Sequence, residues 1–202
     1  MSKKIDWQDP VLKLLSEILD EQAIVLPTRD LYNKPILLLE EPNEPDSSVR
    51  IRKLPTEVLA IKADHFPAPR GFFAGNRGEN KRADLVILGV SGNKKWIVFA
   101  ELKAGAKERS HILNQLRGAI CVMRYVEAVA HEFHGHKDPV LRDFKRRFVA
   151  FTKTRPVSVN KRTTRPERFK LNTAKNDSPD NYLSLTATTD CSYADLVSDS
   201  SF

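Results

Sequence analysis

The chain has 202 residues, 41% of them hydrophobic, which is enough to bury a core and lies at the upper end of what one domain takes. No apolar run approaches the roughly 18 to 20 residues that cross a bilayer, and no apolar stretch follows the N-terminal lysines, so neither a membrane span nor a secretory leader is expected and a soluble, cytoplasmic protein is. The formal charge is +7, and the two cysteines, Cys121 and Cys191, are too few for a disulfide framework or a CxxC zinc site.

A first helix is signalled by Asp9 as N-cap, by Pro10 at the first helical position and by Val11, Leu14, Leu15, Ile18 and Leu19 at helical spacing. Two short strands follow over 36–39 and 49–53, separated by a loop rich in proline and acids. A second, shorter helix is predicted over 55–63. Residues 64–82 hold Pro and Gly without a period and read as a long ordered loop, a type that often carries function. Two apolar strands come next, 84–90 (DLVILGV) and 95–103 (KWIVFAELK), joined by Ser91-Gly92-Asn93. Their near-continuous apolar runs fit strands covered on both faces. A long helix is predicted from about 107 to 133, with Ile112, Leu116, Ala119, Ile120, Met123, Val126, Ala130 and Phe133 in its apolar stripe and Gly135 ending it. A strand over 147–152, an irregular Lys/Arg/Thr/Pro-rich segment and an edge strand over 182–186 complete the chain. These elements predict an α/β (α+β) fold with a central mixed sheet flanked by helices. The organisation reads as an N-terminal helix and β-hairpin elaboration over 1–54, a core over 55–153, and a basic segment followed by an acidic tail over 154–202.

Charge is unevenly spread. Between Leu141 and Lys175 there are 12 Lys and Arg against two acids, whereas the remaining tail carries five Asp and no cation. A concentrated basic stretch is the form expected of a surface that contacts phosphates, and Arg155, Lys161, Arg162 and Arg165, with Arg117 on the long helix, are the candidate contacts.

The chemistry comes from hairpin register. With Gly92-Asn93 as the two central residues of a tight turn, facing residues sum to 185, and Asp84 falls opposite Glu101. Facing Cβ atoms lie roughly 4.5–5.5 Å apart, so two acids there weaken the sheet unless a cation sits between them. Lys103, two residues on, projects from the same face. Mg²⁺ takes carboxylate oxygens while keeping several waters, one of which can attack a phosphodiester. An ammonium beside it can orient that water and stabilise the charge of the transition state.

Asp84, sixteen intervening residues, then Glu101-Leu102-Lys103, on two apolar strands before a long helix, resembles the PD-(D/E)xK nuclease superfamily. The resemblance spans about Pro55 to Thr152; Ala83 stands where the motif's proline would. It implies a restriction-endonuclease-like core, Mg²⁺ or Mn²⁺ held by Asp84 and Glu101, a catalytic Lys103, and DNA rather than RNA as substrate. Gln115 matches the glutamine that RecB-like members place on the helix after ExK, although Ala119 replaces their following tyrosine. A further acid on the helix before the first catalytic strand is expected from the family, and Glu57 fills that position, with Glu79 as competitor. One site per chain and no Walker motif imply a homodimer or a separate motor or recognition subunit, and phage defence or DNA repair as setting. Two readings of other classes use the same residues: a catalytically silent nucleic-acid-binding or assembly subunit on this scaffold, and a protein-interaction module docking through the charged segments.

Overall fold

A computed structural model describes residues 6–41, 44–103, 109–152, 176–186 and 190–198. Helix α1 (Pro10–Ile18) begins as its sequence dictates, with the Asp9 carboxylate accepting from the N–H groups of Val11 and Leu12 at 2.9 and 3.1 Å. The two early strands form at greater length than expected, as β3 (Pro35–Glu41) and β4 (Glu44–Arg52), with short strands β1 (Ile24–Val25) and β2 (Thr28–Arg29) before them.

The helix expected over 55–63 does not form. The segment holds strand β5 (Glu57–Lys62), in which Val58, Leu59, Ala60 and Ile61 are all buried. A run of four apolar residues has the same signature in a buried strand as in a buried helix turn, and here tertiary pairing decides. β5 lies antiparallel to β6 (Leu85–Ser91), Glu57 facing Val90 and Lys62 facing Leu85, so the strand is covered on both faces as its sequence requires. β6 pairs with β7 (Lys94–Lys103) in the expected register, from Ser91 with Lys94 to Leu85 with Ala100. Helix α2 (Arg109–His134) then carries the chain across to β8 (Lys145–Thr152), parallel to β7, and β9 (Leu183–Thr186) adds a parallel edge strand where one was expected. The larger sheet thus has the order β1-β5-β6-β7-β8-β9.

Pleat alternation divides the core in two. Ile97 and Phe99 of β7, with Val86, Leu88 and Val90 of β6, point to the face covered by α1 and α2. Trp96, Val98, Ala100 and Leu102 point to the opposite face, where they meet Leu37, Leu39, Val49 and Ile51 of a second sheet. That sheet has the order β10-β4-β3-β2, with β10 (Asp190–Ser192) parallel to β4.

The end of the chain departs from the expected acidic tail. Residues 190–198 form β10 and a short helix α3 (Tyr193–Val197), and Tyr193, Leu196 and Val197 have no exposed surface. The acids between them work locally, Asp195 in a capping box with Ser192 and Asp190 in a 2.8 Å ion pair with Arg52. Spacing of i, i+3 and i+4 for the apolar trio is a helix face that the charge pattern masked.

Candidate active site

The β6–β7 hairpin has a turn end at Gly92-Asn93 and an open end where Asp84 enters and Lys103 leaves. One step beyond the Leu85–Ala100 pair, the register sets Asp84 opposite Glu101. The Asp84 carboxylate accepts the Leu102 N–H at 2.6 Å, a short charge-assisted bond that ties it to β7 between Glu101 and Lys103. Its backbone carbonyl accepts the Ala63 N–H at 3.2 Å, which fixes the residue against the end of β5 as well. Asp84 is therefore held from both neighbouring strands.

Glu101 is completely buried. It follows Ile97 and Phe99 at two-residue intervals, so its side chain stands on the face covered by α2. On that helix Gln115 is only 8% exposed and lies between Ile112, Leu116 and Ala119, which pack into the same face of the sheet. Its Oε1 has no hydrogen-bond partner among the described residues. A carboxamide oxygen left in that state is costly in a purely structural site and normal in one completed by a ligand. The Lys103 backbone pairs with Thr152, and its side chain lies outside the described residues.

Glu57 does not join this group. Six residue steps of strand separate its partner Val90 from Asp84, a distance of about 20 Å along the sheet. Its carboxylate instead accepts from the N–H groups of Gln8 and Asp9 at the turn end, beside the 2.7 Å ion pair of Asp9 with Lys95. The assignment failed because it assumed a helix over 55–63, whereas a strand carries Glu57 away from the site. Glu79 turns its carboxylate back on the Arg77 N–H at 2.8 Å, and such backbone bonds hold its pKa below the ordinary value.

A carboxylate not singled out from sequence does come near. Asp64, just beyond β5, lines with Asp84, Lys62, Glu40 and Leu102 a cleft of about 210 Å³ that opens at this end of the sheet. Its signal was the strand ending at Lys62, hidden while that segment was read as a helix. Asp64 also acts on Arg82, whose pKa is drawn down by burial against the opposing field of the acid. Among the described residues no group of three or more His, Cys, Asp or Glu side chains is placed to hold a metal ion. The residues that could hold a metal are the Asp84–Glu101 pair. Two hard oxygen ligands on adjacent strands fit Mg²⁺, which is bound through one or two carboxylates and retains water.

Loop 66–83 is locked to α2. Phe66 packs edge-to-face on Tyr125 at 5.5 Å, and the Lys81 carbonyl oxygen lies 1.7 Å from where a Cβ on Gly118 would stand. Glycine at 118, in the middle of a helix where it weakens the backbone, is explained by that approach.

Of the predicted nucleic-acid contacts, Arg117 pairs with Asp180 at 3.0 Å, and Arg109 bonds the Asp180 carbonyl and stacks on Tyr182. Both dock the 179–181 turn onto α2. Arg155, Lys161, Arg162 and Arg165 lie outside the described residues. Cations before that stretch are engaged nearby: Arg142 pairs with Asp138, while Lys145 and Arg147 lie over the Trp96 ring at the turn end. No family model, curated protein or solved structure matches the chain.

Proposed function

We propose that the chain is a metal-dependent nuclease of the PD-(D/E)xK type, hydrolysing phosphodiester bonds of DNA at Asp84, Glu101 and Lys103. The observation that carries this reading is the opposition of Asp84 and Glu101 at the open end of the hairpin, on a face closed by a helix that buries Gln115. Order supports it too: three antiparallel strands, a crossover helix and a parallel fourth strand surround the motif.

Asp84 and Glu101 would hold the cation through oxygen, and the Leu102 N–H fixes the Asp84 carboxylate on β7. A bound Mg²⁺ or Mn²⁺ supplies Lewis acidity and a water of lowered pKa. Lys103 would orient an attacking water and offer positive charge to the phosphorane, and the Gln115 carboxamide would position water or phosphate from α2.

One gel assay tests the proposal. Purified protein with plasmid, linear DNA and RNA cuts DNA in Mg²⁺ and not in EDTA; Glu101→Gln and Lys103→Ala each lose orders of magnitude in rate, and Lys103→Ala keeps metal binding. A parent inactive with every divalent ion tried favours a second reading, a silent nucleic-acid-binding scaffold.

A further inference from the structure

Loop 66–83 leaves β5 and returns to β6 at one point, because Ala63 bonds Asp84 and Ala83 immediately precedes it. Both ends of an excursion of some twenty residues therefore meet at the candidate site. Its first half makes a tight turn, closed by the Phe72 N–H to the Pro69 carbonyl at 3.2 Å, with Gly71 at φ 81°. That left-handed φ is the one a type II turn requires of its third residue. The turn presents Phe72, 83% exposed, and Phe73, 49% exposed, their rings edge-to-face at 4.9 Å.

Two adjacent phenylalanines in water, on a loop anchored to α2 before and after them, have no role in the core. The loop that bears them carries four cations, Arg70, Arg77, Lys81 and Arg82, against the single acid Glu79, which is turned back on its own backbone. Cations and exposed aromatic rings on one rigid segment are what a nucleic acid with unstacked bases meets: charges for the backbone, a ring face for each base. A duplex offers only its backbone to such a loop, since its bases are already stacked.

We infer that Phe72, supported by Phe73, is a base-stacking platform that selects single-stranded segments and delivers the adjoining phosphodiester to Asp84 and Glu101. The inference rests on the nuclease reading of the site and adds the substrate class: a strand unpaired at the point of cutting.

Binding is measured in EDTA, where nothing is cut, by anisotropy of a labelled 20-nucleotide adenine strand and of a blunt duplex of the same length. Phe72→Ala weakens single-strand binding about 5- to 150-fold, the range for one lost stacked base, and leaves duplex binding within about twofold. 2-Aminopurine in the strand is quenched by the parent and not by Phe72→Ala, and Phe72→Trp restores both affinity and quenching. Because Phe72 is exposed, an unchanged melting temperature verifies that the variants fold. Equal losses on both substrates, no loss on either, or a parent that binds anionic vesicles and no oligonucleotide overturns the inference. A protein that cuts DNA in Mg²⁺ but binds single strands independently of Phe72 refutes this inference alone. Phe72-dependent binding without cleavage refutes the nuclease reading alone.

Discussion

Replacing Glu101 by glutamine separates a metal ligand from a structural acid. Glu101 has no exposed surface and stands opposite Asp84, so two carboxylates share one strand end. Like charges directly opposed weaken a sheet, and an ionised carboxylate removed from water costs several kcal/mol unless compensated. Where the compensation is a divalent cation, the strain is present in metal-free protein and relieved in loaded protein. One-site binding at a hundred times Kd adds about 2.7 kcal/mol, and a chain of this length moves about 2–4 °C per kcal/mol, so saturating Mg²⁺ raises the parent's Tm by roughly 5–11 °C. Glu101→Gln keeps the volume and removes the charge. Its Mg²⁺-dependent gain falls below about 2 °C, and in EDTA it melts at or above the parent. Scanning calorimetry across a MgCl₂ titration, with EDTA as zero point, reads both quantities. A variant that melts several degrees below the parent in EDTA and keeps the full Mg²⁺ gain refutes the reasoning, and makes Glu101 a structural acid with the metal held elsewhere.

Gly118→Ala sets two effects against each other. Alanine favours a helix by about 1 kcal/mol, but the new Cβ stands 1.7 Å from the Lys81 carbonyl oxygen, a backbone atom that must move. The clash wins: Tm falls, and tryptic cleavage at Lys81 or Arg82 accelerates in limited proteolysis. Burial, then Asp195 and Asp190, push the Cys191 thiol up to about 12, whereas Cys121 is exposed, so a thiol reagent at pH 8 titrates one cysteine per native chain and two after denaturation. Because the folded pKa of Cys191 is raised, the unfolded chain gives up its proton first; stability is intact below about pH 9 and falls by about 1.4 kcal/mol per pH unit as pH rises toward 12, a slope that Cys191→Ala flattens in alkaline melts. Neutralising Arg155, Lys161, Arg162 and Arg165 together lowers the salt slope of DNA binding by about one unit per lost phosphate contact, with no change in Mg²⁺ affinity; an unchanged slope leaves phosphate contact to the 66–83 loop.

Strands β6 and β7 were legible because their apolar runs are long and the Gly92-Asn93 turn fixes a register in which a one-residue slip would reverse every side chain. Helix α1 was legible for a local reason, the Asp9 cap and Pro10, and the end of α2 likewise in Gly135 at φ 67°. What sequence could not settle depended on partners remote in the chain. Val58–Ile61 has no period of its own, and its neighbours β1 and β6 with the layers above and below make it a strand. With β5 misread, Glu57 looked near the site and Asp64 was overlooked, so one local ambiguity produced both errors. Tyr193, Leu196 and Val197 were lost among acids, because a five-residue helix offers too few positions for periodicity to outweigh charge.

The parallel pairing of Asp190 with Arg50 joins positions 140 residues apart. Contacts of such separation form slowly, since the intervening chain must be ordered before they contribute. Until residue 197 has been synthesised, α3 cannot join β3 and β4 over the Trp96, Val98 and Ala100 side of the sheet, so the nascent chain holds that face only partly covered. Completion of this face thus waits on residues 190–197, and a protease that cuts before them acts on the core of the molecule and not on a dispensable appendage.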